Sequence, residues 1–192
     1  MVHFVLIRPG STDYDEQGRI QGTLEIPLSA QGSSEIDEII PELHELKLDS
    51  LYCSPCLPAQ QTAGRISEAL GLKLKELPHM QNIDHGLWQG MLIEEVRVKQ
   101  PKVYRQWQEQ PECIRPPQGE MVAEAYERVQ TSLGRLLKKH KQGVVGLVIP
   151  EPLATLVRCY LGKGELANLW RANPEGENWE LIEAQPASLA SR

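Results

Sequence analysis

Three short stretches hold the residues best suited to chemistry. Cys53-Ser54-Pro55-Cys56 sets two thiols three positions apart with a proline between them. At a helix N-terminus such a pair can lower a thiolate pKa and cycle as a redox couple. It can equally supply two of four zinc ligands, which Cys113 and His85 would have to complete because there is no second pair. Small buried thiols with no chemistry are the third reading. Asp84-His85 places a carboxylate beside an imidazole, the makings of an acid–base pair. Arg8 ends the apolar run Met1 to Ile7, where a guanidinium serves as an anion receptor or as a structural ion-pair partner. The remaining histidines offer less. His3, His44 and His140 fall in strand and helix contexts, and His79 follows Pro78 past an edge-like strand.

These residues need a scaffold, and the hydrophobic pattern supplies one. Val2 to Ile7 reads as a strand covered on both faces, and Ser50 to Cys53 as a second. Lys73 to Leu77 alternates as an edge strand, and Val144 to Ile149 has a central-strand pattern. Ser29 caps a helix carrying Ile36, Ile39, Ile40, Leu43 and Leu46, with Pro41 as a kink. Ala59 to Leu70 is helical, with Gly71 as its stop signal. Glu120 to His140 carries the strongest helical period, and a further helix spans Leu153 to Leu161. Two last strands are expected near Leu166–Arg171 and Trp179–Ile182.

Alternation of this kind predicts an α/β fold, a three-layer α/β/α sandwich around a mostly parallel sheet. Ligands in such folds sit at the carboxyl ends of the strands, which points to the loops after Ile7, Cys53, Leu77 and Ile149. Residues 1–183 are read as a single domain, with 78–117 as a cap-like insertion of short helices and 184–192 as a flexible tail.

Composition bounds the rest. The 192 residues carry 20 Lys and Arg against 26 Asp and Glu, a net charge of −6, which argues against nucleic acid or anionic lipid as partners. The first apolar segment is too short for a membrane span or a signal sequence, so a soluble, cytoplasmic protein is expected. Four cysteines make no disulfide scaffold and fit a reducing compartment.

Motifs in order along the chain add a family. The loop Leu6-Ile7-Arg8-Pro9-Gly10-Ser11-Thr12 is followed by Gln21-Gly22 and by Pro27-Leu28-Ser29-Ala30-Gln31-Gly32. Then come Ser54-Pro55 with Gln61-Thr62-Ala63, Gly86-Leu87-Trp88-Gln89-Gly90, and Pro116-Pro117-Gln118-Gly119-Glu120. Over about 170 residues this resembles the histidine phosphatase superfamily, the phosphoglycerate mutase-like proteins. The resemblance implies a phosphohistidine mechanism: a histidine attacks phosphorus, two arginines and a second histidine hold the phosphoryl oxygens, and a glutamate protonates the leaving group.

Carried over position by position, the machinery is missing. Pro9 stands where the nucleophilic histidine belongs, Pro58 where the second arginine belongs, and Asn82 where the acid belongs. Counting back from Tyr160-Leu161-Gly162 puts the second histidine at Ile149, and small shifts put it at Pro150 or Glu151. Arg8 alone is retained.

The expectation is therefore a pseudoenzyme, a pseudophosphatase without catalytic residues, cofactor or metal. It would bind a protein partner or a small anionic ligand at a remodelled pocket, as a monomer or a homodimer. Arg8, Thr12, Gln21, Gly22 and Glu151 are the ligand-binding candidates. Two arrangements are open to Arg8: it holds an anion with the Gln21-Gly22 turn and Thr12, or a carboxylate such as Glu151 or Asp15 neutralises it. The internal pair is favoured, because an unpaired, partly buried guanidinium is costly. The alternative is a residual phosphatase or mutase working without a phosphohistidine, through Asp84 or His85, or a redox or metal role for Cys53 and Cys56.

Overall fold

The computed structural model of the chain describes residues 1–164, 166, 169 and 178–183. Five strands form one sheet: β1 (Val2–Ile7), β2 (Ser50–Cys53), β3 (Leu74–Glu76), β4 (Gly143–Val148) and β5 (Trp179–Glu183). Their order is β3-β2-β4-β1-β5, and every pair is parallel except β1 with β5. Of the two last strands expected, the second is β5. Leu166 and Leu169 lie in a bend and a turn, and the rest of the proposed 166–171 strand is outside the described residues, as is the 184–192 tail.

Side-chain alternation along β1 divides the protein into layers. Val5 and Ile7 share a core with Ile36, Ile39 and Leu43 of α2 (Ala30–Glu45) and with Ala59, Ala63 and Ile66 of α3 (Leu57–Leu70). Phe4 and Leu6 share the opposite core with Val129 and Leu133 of α6 (Val122–Lys139) and with Leu153, Leu156 and Val157 of α7 (Leu153–Tyr160). Each such apolar side chain taken from water contributes roughly 1.5–3 kcal/mol, so both faces of the sheet are held firmly. A four-residue helix, α1 (Asp13–Glu16), follows β1 directly. Pro41 lies inside α2, whose helix continues to Glu45.

The segment between β3 and α6 carries α4 (Ile93–Lys99), α5 (Pro101–Glu109) and two 3₁₀ turns, Gly86–Trp88 and Pro111–Cys113. Its Trp88, Val96 and Trp107 belong to the same core as α6 and α7. Trp107 is fully buried and meets Trp88 edge-on, with ring centroids 5.6 Å apart. The helices of this segment therefore share their apolar base with α6 and α7. Among the described residues no helix is long and apolar enough to cross a membrane.

Candidate functional site

A cleft of about 380 Å³ opens at the carboxyl ends of the central strands, bounded by the loops after β1, β2 and β4 and by the segment after β3. Glycines bring α2 against the first of these loops. A Cβ on Gly32 would lie 2.0 Å from the Ser11 carbonyl oxygen, and one on Gly10 would lie 2.4 Å from that of Gly32. Any larger residue at either place would push the helix away. Ser29 fastens the contact: its N–H and hydroxyl donate to the Ser11 carbonyl at 2.9 and 3.1 Å, while its Oγ caps the Gly32 N–H at 3.0 Å. One turn further on, Glu35 faces the loop.

Glu35 is the residue that sequence reasoning missed. Its Oε2 lies 3.6 Å from an Arg8 Nη, with side chains 17% and 31% exposed. It also accepts the Ser11 N–H at 2.9 Å, the Ser11 hydroxyl at 2.8 Å and the Gln31 amide at 3.1 Å. Burial works against the charged carboxylate. The Ser11 and Gln31 donors and the Arg8 guanidinium outweigh it, and the net effect lowers the Glu35 pKa. The internal pair expected for Arg8 is therefore made with Glu35, and neither Glu151 nor Asp15 is its partner. Asp15 accepts the Thr12 N–H and hydroxyl at 2.8 Å each, closing a capping box on α1. Glu151 is taken by Arg158 at 2.5 Å and by the Thr155 hydroxyl at 3.0 Å.

The other binding candidates all line the cleft but are tied to one another. The Thr12 hydroxyl lies 3.1 Å from the Gln21 Oε1, and the Gln21 amide donates to the Leu24 carbonyl at 3.3 Å. Gly22 adopts φ +58°, and a Cβ there would strike the Gln89 side chain at 2.1 Å. Gln89 in turn accepts the Thr23 N–H at 2.8 Å. Asp15 thus occupies the Thr12 N–H and hydroxyl, donors that an anion would need.

Pro9, Pro58 and Asn82 border the cleft as the motif alignment implies. None offers a nucleophile, a cation or an exchangeable acid proton. The Asn82 amide donates to the Glu151 carbonyl at 3.0 Å and its oxygen accepts the Ile83 N–H at 2.9 Å, which joins the segment after β3 to the loop after β4. Ile149 is not among the described residues that line the cleft. Its N–H donates to the Ile7 carbonyl at 3.1 Å, extending the sheet, and its side chain is fully buried in the α6–α7 core. The chain leaves the sheet at Pro150, which lines the cleft.

The alternative chemistries meet physical obstacles. His85 lines the cleft, but its ring is 1% exposed and packs edge-on against Trp107 at 5.3 Å. Burial pushes its pKa down to about 3, too weak a base to activate water near neutrality. The Asp84 carboxylate turns to the Gly86 N–H at 2.8 Å. Cys53 and Cys56 are free and buried. Burial, with the nearby Glu76 carboxylate and the Cys56 thiol, pushes Cys53 up to about 12. Burial also raises Cys56, although the Ser54 hydroxyl donates to its sulfur at 3.3 Å. The helix N-terminus fails to lower these thiols because desolvation dominates. A thiol reagent at pH 8 is accordingly expected to modify exposed Cys113 in the native protein and to reach Cys53 and Cys56 only after unfolding. Labelling of Cys53 as fast as that of Cys113 would contradict this. Among the described residues no group of three or more His, Cys, Asp or Glu side chains is placed to hold a metal ion.

Comparison with known proteins identifies the family. The chain is 33% identical over 183 residues to phosphoserine phosphatase 1 of Hydrogenobacter thermophilus, covering 95% of this chain and 86% of that protein. Its fold superposes on Bacillus stearothermophilus YhfR with a TM-score of 0.82 at 20% identity, covering 95% and 91% of the two chains. It superposes on a mycobacterial glucosyl-3-phosphoglycerate phosphatase with a TM-score of 0.77 at 23% identity, covering 83% and 82%. The family model for the histidine phosphatase superfamily (branch 1) matches residues 4–188, and the chain belongs to that superfamily.

Proposed function

We propose that this member of the superfamily acts by holding a protein or small ligand in its remodelled cleft, without phosphohistidine catalysis. The observation that carries the reading is the setting of Arg8. Pro9, Pro58, Asn82 and Pro150 surround it, and Glu35 neutralises it. Charge points the same way. Among the described residues the cleft is lined by four carboxylates, Asp15, Glu16, Glu35 and Glu151, and two guanidinium groups, Arg8 and Arg19, with Glu151 itself paired to Arg158. A phosphate dianion would enter beside these carboxylates, with Arg8 engaged by Glu35 and Arg19 by Gln17 and the Gly90 carbonyl. A phosphorus-attacking side chain would also have to be found where prolines stand, and proline offers neither a side-chain nucleophile nor a backbone N–H.

A second reading is favoured by the relative at 33% identity, which is named a phosphoserine phosphatase. On that reading the chain hydrolyses a phosphate ester by direct attack of water, with Arg8 anchoring the phosphoryl group and no covalent phosphoenzyme. One assay separates the two. Turnover of phosphoserine and of p-nitrophenyl phosphate is expected to equal the buffer rate, with wild type and Arg8→Ala indistinguishable. Pro9→His should remain equally inactive, because charge stabilisation needs the absent cations as well. Turnover above background that disappears in Arg8→Ala would establish the hydrolytic reading instead.

A further inference from the structure

The contacts of Glu35 have the form of a bound ligand's. Its carboxylate receives a backbone N–H and a hydroxyl from Ser11, an amide from Gln31 and a guanidinium from Arg8, all in the wall of the cleft. A backbone amide, a hydroxyl and a guanidinium converging on one point make an oxyanion receptor. Here the oxyanion comes from the protein itself. Glu35 is delivered by α2, whose register is fixed by the Gly32–Ser11 approach, which sets its carboxylate against the Arg8 loop. The Arg8 Nε is buried and has no hydrogen-bond partner among the described residues, so the guanidinium keeps donor capacity that Glu35 does not use.

We propose that Glu35 is a specificity-determining residue that fills the oxyanion receptor of the cleft and excludes phosphate, sulfate and carboxylate ligands from Arg8. The cleft then selects ligands that present no oxyanion toward Arg8, neutral or cationic groups being compatible with its remaining carboxylates. This deepens the non-catalytic reading above and rests on it. Exclusion follows from charge and space together. An incoming oxyanion meets the Glu35 carboxylate at contact distance and finds the Ser11 N–H and hydroxyl already taken.

Calorimetric titration with inorganic phosphate tests the proposal on wild type, Glu35→Gln, Glu35→Ala and the Arg8→Ala/Glu35→Ala double variant. Glu35→Gln keeps the side-chain shape and a hydrogen-bonding oxygen, so it preserves the fold if the alanine variant does not. Both single variants are expected to bind phosphate at least about ten-fold more tightly than wild type, and the double variant should lose the gain. Wild type binding phosphate as tightly as Glu35→Gln would overturn the proposal, and so would a gain that survives without Arg8. Ester turnover is followed in the same samples. Arg8-dependent turnover by wild type defeats the non-catalytic reading, whereas inert wild type with no gain in folded Glu35→Gln defeats the assignment of Glu35 alone.

Discussion

Between pH 8 and pH 5 the protein is expected to lose about 2 kcal/mol of folding stability through His85, and His85→Phe should remove that loss. The unfolded chain takes up a proton on this imidazole near the ordinary value of 6.5, while burial holds the folded value down to about 3. Below 6.5 the unfolded state therefore binds the extra proton and the native state does not. Stability falls as the pH drops, with a limiting slope of about 1.4 kcal/mol per pH unit, and the loss is complete only near the folded value. Phenylalanine retains a flat ring to meet the edge of Trp107 and carries no titrating group. His140 contributes in the same direction, since burial and then Lys139 and Lys75 lower its pKa as well. Taking the difference between wild type and His85→Phe isolates His85 from it. Above pH 5 this window also avoids most carboxylate protonation, including that of Glu35, whose lowered pKa makes its loss of stability a feature of more acid solutions. Urea unfolding at half-unit pH steps measures the slope, and equal slopes in the two proteins would refute the assignment.

That prediction bears on function because His85 is part of the cleft wall. A neutral imidazole packed against Trp107 leaves that part of the wall uncharged near neutrality. The acid limb of stability then reports directly on the dryness of that wall.

The layers were legible because apolar period and burial coincide. Val2–Ile7 and Gly143–Val148 are short apolar runs buried on both faces, and α6 follows its helical stripe through Val122, Ala125, Val129, Leu133 and Leu136. That Pro9, Pro58 and Asn82 border the cleft was legible for a different reason: they sit inside motifs whose order anchors the alignment. Past β4 that anchor fails, because Pro150-Glu151-Pro152 resembles nothing in the family pattern, and spacing alone does not show that Pro150 reaches the cleft while Ile149 stays in the sheet. Glu35 was hidden more deeply. It follows Gly32 by three positions and precedes Ile39 by four, so it lies on the buried stripe of α2, where a charged residue is a signal in itself. Its partner could not be read from spacing, since the contact with Arg8 depends on how closely two glycines let a helix approach a loop. The thiols mislead for the opposite reason. The motif suggests a helix-activated cysteine, but the depth of the β2–α3 junction outweighs the helix terminus.

Arg128→Met should cost about 3 kcal/mol and loosen the cleft wall that carries Asn82 and His85. From α6 this guanidinium donates to the carbonyls of His79, Gln81 and Asn82 at 3.0, 2.6 and 3.2 Å, and to Glu120 at 2.6 Å. Glu120 also accepts the Asp84 N–H at 2.9 Å, so one ion pair suspends the whole segment from His79 to Asp84. The side chains of Arg128 and Glu120 are 15% and 20% exposed, which limits salt screening and makes an abandoned carboxylate expensive. Glu120 has a sequence-level explanation as an acid near a helix N-terminus, but its geometry shows a stronger bond to α6 itself. Methionine keeps the apolar stem and removes all five donors, leaving three carbonyls and a carboxylate to find water. Lysine restores the charge but lacks the fork needed to span separate acceptors, so Arg128→Lys should recover only part of the loss. Adding Glu120→Gln to Arg128→Met should cost less than the two single changes together, by about 1–3 kcal/mol, because the second change removes the stranded charge. Urea unfolding of wild type and the four variants measures these differences, and a cost below about 1 kcal/mol for Arg128→Met would show that the segment is held by its apolar residues, Met80 and Ile83, without this pair.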